Sequence, residues 1–211
     1  MANVENGVLA VISGFSGVGK GTIVKELVRR HDYALSISAT TRNPRPGEED
    51  GREYFFLTRE KFQEMIDGDG FIEWAEYVGN RYGTPRKYVE DKLAEGSDVI
   101  LEIEPQGAMN VKRLYPEAVL IFVVPPSADA LAERLSGRGS ETPEQIAGRL
   151  ARAAEETVYI GDYDYVVPND DLETAILDVH GIIHSAKFLN GHNKAFVDGL
   201  TVELKEKYGK K

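Results

Sequence analysis

The sequence predicts an α/β fold in which helices flank a parallel β-sheet. Continuous apolar runs at residues 99–104 and 118–124 are typical of parallel strands that are buried on both faces. Segments with helical spacing alternate with such runs along the chain. A glycine-rich turn at residues 14–22 joins an apolar strand to a helix. Together these three observations predict one sheet built from strand–helix units.

The elements of this sheet can be placed in order along the chain. The first strand is expected at about residues 8–13 and the first helix at about 19–31. A helix is expected between the two apolar runs, with Pro105 in its first turn, where the missing N–H costs no hydrogen bond. The remaining predicted elements are helices at 127–136, from Thr142 to about 160 and at 172–189, and a last strand at 165–167.

A polar stretch interrupts this alternation, and residues 37–90 are therefore expected to form an inserted α+β lobe. Pro44, Pro46 and Gly47 disfavour a regular helix near its start. Within the lobe the predicted elements are strands at 53–57 and 71–77 and a helix at 59–67.

A core in three pieces, a lid and a tail complete the predicted organisation. The core comprises residues 1–36, 91–128 and 157–190, and a helical lid spans 129–156. Residues 191–211 show only weak periodicity. Their apolar side chains could dock on the body, or the tail could remain partly mobile.

The composition restricts the classes of function. A chain of 211 residues that is 42% hydrophobic can bury a full core. Its net charge of −10 disfavours a nucleic-acid partner, because such binding needs clustered positive charge. The chain shows neither an apolar run of about 18 residues nor a basic, apolar leader, so we expect no membrane partner and a cytoplasmic location. Cysteine is absent, and the four histidines lack a convincing metal spacing.

The segment from Gly14 to Thr22 carries the pattern G-x-x-x-x-G-K between a strand and a helix. Backbone N–H groups of such a loop converge on an anion, and Lys20 can reach the outer phosphates of a nucleoside triphosphate. A glycine-rich turn can serve packing alone, but the complete pattern predicts a P-loop NTPase-type sheet. The candidate nucleotide-binding residues are Gly14, Ser16, Gly17, Val18, Gly19, Lys20, Gly21 and Thr22.

The loop departs from the usual pattern at one position, so the sequence does not assign its Mg²⁺ ligands. Gly21 stands where a Ser or Thr hydroxyl commonly binds Mg²⁺. We expect magnesium to be held mainly by phosphate oxygens and water, with Thr22 or Glu102 as further candidates.

Two groups of arginines are candidates for binding phosphate in this acidic chain. Arg42 and Arg45 lie in a proline-containing loop that precedes Tyr54, so they can converge on one dianion. The second group is spaced to share helix faces and comprises Arg134, Arg138, Arg149 and Arg152. Either group could instead be a solvated basic surface, which is a common role of arginines.

The motifs of this chain, taken in order, resemble those of guanylate kinases. They are SISATTRNPRPGE at 36–48, GREYFF at 51–56, FIEWA at 71–75, YGT at 82–84, LEIEPQG at 101–107, PPS at 125–127, RLSGRG at 134–139 and ND at 169–170. The resemblance extends over about residues 8–190, and several of the motifs are specific to that family.

The resemblance implies a GMP site in the inserted lobe. Glu73 would read guanine, because a carboxylate accepts hydrogen bonds from N1–H and the 2-amino group but meets a lone pair in adenine. Ser38 and Thr84 would contact the base. Glu104 would contact the guanine amino group where the family typically has Asp, or it could only pair with a neighbouring arginine. The groups implied for the GMP phosphate are Arg42, Arg45, Tyr54 and Tyr82.

The resemblance also implies an ATP site that the lid closes. Arg138 and Arg149 are expected to stabilise the transferring phosphoryl group together with Lys20, which makes these three the candidate catalytic residues. Asn169 would lie near the adenine, although residues 168–171 are also typical of a plain helix start. The lid arginines are assigned to ATP (Arg134, Arg138) and to GMP (Arg149, Arg152).

The activity implied by the resemblance is ATP + GMP ⇌ ADP + GDP with Mg²⁺, and dGMP is expected to serve as well. A phosphate oxygen of GMP would attack the γ-phosphorus in line, with no covalent intermediate and no general base.

Three alternatives are a guanylate-kinase-like protein-interaction domain, a kinase for another nucleoside monophosphate, and a GTPase. The complete loop and lid arginines argue against the first and the guanine-reading residues against the second. The lack of a convincing N-K-x-D motif argues against the third. The oligomeric state is not predicted.

Overall fold

The computed structural model describes residues 7–77, 79–137 and 142–209. The strands are β1 (Leu9–Gly14), β2 (Tyr33–Leu35), β3 (Ala39–Thr40), β4 (Phe55–Phe56), β5 (Phe71–Tyr77), β6 (Asn80–Pro85), β7 (Asp98–Glu102), β8 (Val119–Val124) and β9 (Tyr165–Pro168). The helices are α1 (Lys20–Arg30), α2 (Arg59–Asp67), α3 (Arg86–Ala94), α4 (Pro105–Leu114), α5 (Ala128–Ser136), α6 (Pro143–Glu156), α7 (Leu172–Ala186) and α8 (Lys194–Tyr208). A 3-10 helix spans Thr157–Asp162.

The central sheet has five parallel strands in the order β2-β7-β1-β8-β9. Strand β1 lies between β7 and β8, and Val11 is in register with Leu101 on one side and Leu120 on the other. Every residue of β1 is buried. The apolar runs are continuous because helices cover both faces of such a sheet. The predicted parallel α/β fold is thus confirmed.

Helices α1 and α7 pack on this sheet and against each other, and α4 packs on β1 and β8. Helix α1 buries Ile23, Val24 and Leu27, which its 3.6-residue period places on one face. The largest fully buried side chains of the central core include Ile12, Ile23, Leu101, Ile121 and Ile176.

The inserted lobe has its own four-stranded sheet, in the order β4-β3-β6-β5. Strand β6 is antiparallel to β3 and β5, whereas β3 and β4 are parallel. A small separate cluster of Ala39, Phe62 and Phe71 packs beneath this sheet, with the two phenylalanine rings stacked at 4.4 Å. Strands and a helix occur here as expected for an α+β lobe, while the exact boundaries of core, lobe and lid remain predictions.

Several elements differ in detail from the sequence-based expectation. The three-residue strand β2 and helix α3 were not predicted individually. The helix expected to reach about residue 160 ends at Glu156 and tightens into the 3-10 helix, where β-branched Thr157 and Val158 favour the α-helix less. The closing helix α7 ends at Ala186 rather than at 189.

The tail forms the regular helix α8, although its sequence shows only weak periodicity. None of its residues is buried. In the part of the chain that the structure describes, no helix is both long and apolar enough to span a lipid bilayer.

Candidate active site

The carboxyl ends of the parallel strands meet at one cleft. Strand β1 ends at Gly14, where the glycine loop begins, and β7 ends at Glu102. Strand β9 ends at Pro168, directly before Asn169. Ligands of open parallel sheets bind at this edge, because loops and helix N-termini converge there.

The glycine loop adopts a conformation that side chains would hinder. Gly17 and Gly19 have φ angles of 89° and 103°, in the left-handed region that favours glycine. A Cβ atom at Gly19 would lie 2.6 Å from Nδ2 of Asn169. Lys20 begins helix α1, and its Nζ donates to the carbonyl oxygens of Gly14 at 2.5 Å and Phe15 at 3.3 Å. The lysine therefore lies folded over its own loop.

Asn169 and Arg134, both predicted to bind ATP, contact the carbonyl oxygen of Val18 in this loop. Nδ2 of Asn169 donates to it at 2.8 Å and Nη1 of Arg134 at 3.3 Å. Nη2 of Arg134 also donates to the carbonyl of Asn169 at 2.8 Å. Helix α5, at the start of the predicted lid, is thereby tied to the loop and to Asn169 after β9.

Three carboxylates lie close enough to the Lys20 ammonium group to act on its charge. Burial lowers the pKa of Lys20, while Glu104, Glu102 and Glu156 act in the opposite direction. The net lowering indicates that the loop lies in a poorly solvated environment, where electrostatic contacts to a nucleotide would be strong.

Glu102 lies directly beside the position where a hydroxyl is missing from the loop. A Cβ atom at Gly21 would be 3.6 and 3.8 Å from the two carboxylate oxygens of Glu102. Its side chain faces the open cleft, yet the surrounding protein desolvates it and raises its pKa, partly offset by Lys20. Thr22 is exposed one position further along α1. The described residues contain no group of three or more acidic, histidine or cysteine side chains able to hold a metal ion.

Three of the four residues predicted for the GMP phosphate lie together on the lobe sheet. The guanidinium of Arg42 lies 5.4 Å from the centroid of the Tyr54 ring. Tyr54 and Tyr82 pack edge to face, with ring centroids 5.9 Å apart. Arg45 is exposed in the preceding loop. The structure therefore brings Arg42, Tyr54 and Tyr82 together, whereas it shows no contact of the Arg45 side chain with them.

Glu48 organises this group of residues, and the sequence did not identify it as a site residue. Both of its oxygens accept from Nη2 of Arg42, at 3.0 and 2.9 Å, and one also accepts from the backbone N–H of Arg45 at 2.7 Å. These donors hold the pKa of Glu48 below its usual value, the Arg45 N–H first. Its position in the sequence, three residues after Arg45 and six after Arg42, could have indicated Glu48 as a partner of these arginines.

Glu73 on β5 and Thr84 on β6 form the predicted base-reading pair. The Thr84 hydroxyl donates to Oε1 of Glu73 at 2.7 Å. Burial raises the pKa of Glu73, and the hydrogen bonds from Thr84 only partly oppose that rise. Ser38 is half-buried in the loop before β3. The carboxylate is thus held in one orientation by a neighbour on the adjacent strand.

The segment from Glu102 to Gly107 contacts both halves of the cleft. Glu102 lies against Gly21 of the ATP loop, as described above. At the other end, a Cβ atom at Gly107 would be 2.9 Å from Oε2 of Glu73. Ser13 of β1 donates from its hydroxyl to the carbonyl of Ile103 at 2.7 Å, which fixes the segment to the central sheet. This short connection places the two predicted nucleotide sites at opposite ends of one backbone segment.

The lid helix α6 reaches the same cleft through Arg152. Its Nη2 donates to Oε2 of Glu104 at 3.2 Å, and its Nε donates to Oε1 of Glu156 at 2.8 Å. Glu156 is buried, and its Oε2 has no hydrogen-bond partner among the described residues. Sequence reasoning did not single out Glu156. Arg149 lies one turn earlier on α6, and Arg138 lies outside the described residues.

Comparison with known proteins assigns the chain to a family. A family model described as "Guanylate kinase" matches residues 7–186. The chain is 51% identical over 184 residues to a guanylate kinase of Desulfitobacterium hafniense (strain Y51), covering 87% of this chain and 92% of that protein. It is 54% identical over 181 residues to one of Bacillus anthracis, covering 85% and 88%. A crystal structure of guanylate kinase from Anaplasma phagocytophilum superposes with a TM-score of 0.77 at 31% identity, covering 98% of each chain.

Proposed function

This chain belongs to the guanylate kinase family, whose reaction is ATP + GMP ⇌ ADP + GDP, and we propose that the cleft described above carries out this transfer. One observation carries the residue assignment. The segment between Glu102 and Gly107 contacts the phosphate loop at one end and the base-reading Glu73 at the other. A donor and an acceptor nucleotide bound to these two sites would direct their phosphates toward each other.

On the donor side, the loop from Gly14 to Thr22 binds the phosphates of ATP through its backbone N–H groups and the N-terminus of α1. Lys20 leaves the carbonyl oxygens of its own loop and contacts the outer phosphates. Asn169 and Arg134 hold the loop through Val18 and stand beside the nucleoside. Ser16, Gly17, Gly19 and Gly21 complete the cradle.

On the acceptor side, Glu73 accepts hydrogen bonds from guanine N1–H and the 2-amino group. The Thr84 hydroxyl aligns Glu73, and Ser38 and Glu104 contact the base. The phosphate of GMP binds where Arg42 and Arg45 meet the two tyrosines, Tyr54 and Tyr82, and it competes with Glu48 for Arg42. Because none of these groups reads the 2′-hydroxyl, dGMP is accepted as well.

Transfer relies on positioning and charge stabilisation by the chain's own residues. A phosphate oxygen of GMP attacks the γ-phosphorus in line as ADP leaves, and no side chain forms a covalent intermediate. Lys20, Arg138 and Arg149 stabilise the charge on the transferring group, and Arg152 holds the lid helix near Glu104. Closure of the lid excludes water, which would otherwise hydrolyse ATP.

Magnesium fits this cleft as a cofactor held mainly by the nucleotide. Glu102 is a carboxylate beside the loop, and Thr22 offers a hydroxyl, so each can orient a metal ion or its water ligands. When bound, the ion would neutralise charge on the phosphates of ATP.

The first test measures ADP release with ATP and each of GMP, dGMP, AMP, UMP and CMP. We expect turnover with GMP and dGMP and little with the other three. Lys20→Ala should lower kcat by about 10²–10³-fold, since it removes a preorganised charge from the transition state. Absence of turnover with every acceptor would favour the protein-interaction domain. Wild-type turnover by Lys20→Ala would remove the lysine from the mechanism.

A further inference from the structure

The guanidinium group of Arg42 is held by contacts within its own loop. Both carboxylate oxygens of Glu48 accept from its Nη2, at 3.0 and 2.9 Å, and the carbonyl oxygen of Asn43 accepts from its Nη1 at 2.7 Å. The rings of Tyr54 and Phe56 lie beside it, with centroids 5.4 and 5.8 Å from its Cζ. Both terminal amino groups of Arg42 are therefore engaged by the protein itself.

The ion pair between Arg42 and Glu48 is well enclosed by the surrounding protein. The two side chains are 16% and 17% exposed. A second pair in the same loop, between Arg52 and Glu53, is 53% and 35% exposed. Since water and salt screen an enclosed pair less than an open one, the attraction between Glu48 and Arg42 is the stronger of the two.

The carboxylate of Glu48 occupies hydrogen-bond donors that a phosphate would use. Carboxylate and phosphate oxygens both bind a guanidinium group through charge-assisted N–H···O bonds. One oxygen of Glu48 also accepts from the backbone N–H of Arg45 at 2.7 Å. The same carboxylate thus contacts both positions from which the acceptor site offers an arginine to the phosphate of GMP.

We propose that Glu48 is an internal competitor for the acceptor phosphate and thereby determines which anions enter the site. The inference rests on the function proposed above, in which Arg42 binds the phosphate of GMP. In the protein without nucleotide, Glu48 neutralises Arg42 and holds its guanidinium group in place. An anion binds to Arg42 only when it displaces this carboxylate.

A tethered carboxylate excludes weakly bound anions more effectively than strongly bound ones. Its effective concentration at Arg42 is on the order of millimolar or higher, because a short chain segment attaches it. Inorganic phosphate has only its own charge with which to displace Glu48. GMP also gains the contacts of its base with Glu73 and Thr84, which supply the additional binding energy. Glu48 thereby keeps the empty acceptor site from filling with small anions.

The turn around Glu48 does not depend on its bond to Arg42. The backbone N–H of Glu48 donates to the carbonyl oxygen of Arg45 at 3.0 Å, and its side chain accepts from the Arg45 N–H. Both bonds remain when a phosphate takes the place of Glu48 at Arg42. The exchange therefore requires a rotation of one side chain and no change in the backbone.

The test measures how inorganic phosphate inhibits ADP release by the full chain, with GMP and ATP varied in turn. In Glu48→Gln the constant for inhibition competitive with GMP should fall about tenfold, because a neutral amide competes less for Arg42. KM for GMP should fall as well. Inhibition competitive with ATP should stay unchanged, since it reports phosphate bound at the glycine loop.

Glu48→Asp is a second variant that keeps the negative charge. It withdraws the carboxylate from Arg42 by one methylene group, so both constants should shift in the same direction by a smaller factor. Far-ultraviolet circular dichroism and KM for ATP verify that each variant is folded. In Glu48→Gln the amide oxygen can still accept from the Arg45 N–H, which preserves the turn.

Glu53→Gln is the matched control, because it removes the same charge and an equivalent set of contacts from the same loop. Glu53 accepts from Nε of Arg52 at 2.6 Å and from the backbone N–H of Glu49 at 2.8 Å. Arg52 belongs to neither proposed nucleotide site, so phosphate should inhibit this variant as it inhibits the wild type. Guanosine is the control ligand. It lacks the phosphate, so its inhibition constant should be equal in Glu48→Gln and the wild type.

Three results, each obtained with active enzyme, would overturn the proposal. Inhibition of Glu48→Gln by phosphate that is no stronger than in the wild type would show that Glu48 does not compete. A rise in KM for GMP in this variant would make Glu48 a support of Arg42 instead. An equal effect of Glu53→Gln would indicate a general change of charge. A wild-type chain without turnover of GMP would contradict the proposed function itself.

Discussion

At the scale of single residues, the proposed role of Glu73 predicts that guanine recognition depends on the protonation state of this carboxyl group. Burial raises the pKa of this carboxyl group. Only the ionised form has acceptor lone pairs on both oxygens for N1–H and the 2-amino group, because protonation turns one oxygen into a donor. As pH falls through the raised pKa, kcat/KM for GMP should decline, and the decline should begin at a higher pH than for an ordinary glutamate.

Glu73→Gln tests this assignment without changing the size of the side chain. The variant should lose about 10²-fold or more in preference for GMP over AMP, because an amide presents one acceptor and one donor to the guanine edge. The decline of kcat/KM for GMP at acidic pH should also disappear in this variant. An unchanged ratio of kcat/KM for GMP and AMP would contradict the role of Glu73.

Gly107 is expected to control the orientation of Glu73. In Gly107→Ala the added methyl would lie 2.9 Å from Oε2 of Glu73, so the carboxylate must rotate away from its bond with Thr84. A strain of about 0.5–1.5 kcal/mol corresponds to an increase of about 2- to 10-fold in KM for GMP, with KM for ATP unchanged.

Gly181→Ala is the matched control, because no atom lies within 4 Å of a Cβ at this position in α7. This variant should keep both Michaelis constants and raise the free energy of unfolding by about 0.5–1 kcal/mol. An equal rise in KM for both nucleotides in Gly107→Ala would indicate a general distortion instead.

At the scale of elements, Arg152 connects helix α6 of the predicted lid to Glu104, the N-cap residue of α4. Its side chain is 40% exposed and that of Glu104 is 64% exposed, so the ion pair is well solvated and its energy is modest. A double-mutant cycle of Arg152→Gln and Glu104→Gln on kcat/KM for GMP should give a coupling of about 0.3–1 kcal/mol.

The same cycle with Glu156→Gln in place of Glu104→Gln should give a larger coupling, because Glu156 is only 9% exposed and holds Arg152 at 2.8 Å. Additive effects in both cycles would show that Arg152 acts on the nucleotides without these partners.

At the scale of the whole molecule, a stack of histidines beside the amino-terminal end of strand β2 should make the free energy of unfolding depend on pH. The rings of His31 and His180 are stacked with centroids 3.7 Å apart, and His184 lies 6.0 Å from His180. Tyr33 shares a hydrogen bond of 2.7 Å with Nδ1 of His180. The pKa of His180 is lowered by burial first, then by His31, His184 and Lys187, while Asp98 opposes the shift.

A histidine whose pKa is lower in the folded state binds its proton more readily when unfolded. The contribution of His180 to the free energy of unfolding is therefore fully present above the ordinary histidine pKa of about 6.5. It is lost as pH falls through the lower pKa of the folded state. Tm should fall as pH drops below about 6.5, and the slope of Tm against pH should be shallower in His180→Gln. An identical slope in this variant would exclude His180 as its origin. Comparison of the two proteins at pH 8 isolates any effect of the substitution itself.

Local patterns were sufficient for most of the fold. The apolar run at 118–124 and the loop from Gly14 to Lys20 each predicted an element from consecutive residues alone. Strand β2 was not predicted because a segment of three residues is too short to show periodicity. Its extended conformation depends on pairing with β7. Helix α8 was not predicted because its sequence shows only weak periodicity. The body of the protein buries none of its residues, so no apolar face had to be matched to the core.

The motifs nominated site residues, which stay predictions, but they did not indicate the contacts between these residues. Glu73 and Thr84 were both assigned to the base, but their mutual hydrogen bond follows from the pairing of β5 with β6. Glu48 and Glu156 were missed because their partners, Arg42 and Arg152, carry the recognisable signals.

The sequence by itself determined the parallel α/β fold and the phosphate loop, because these follow from spacing and local order along the chain. It also indicated the family, through the resemblance of its motifs. The tertiary structure decided how Glu102 and Gly107 join the two halves of the cleft and which carboxylates act on the charge of Lys20. Those features arise between segments that are distant in sequence. Burial and electrostatic interactions depend on distances in space, and only the folded chain sets these distances.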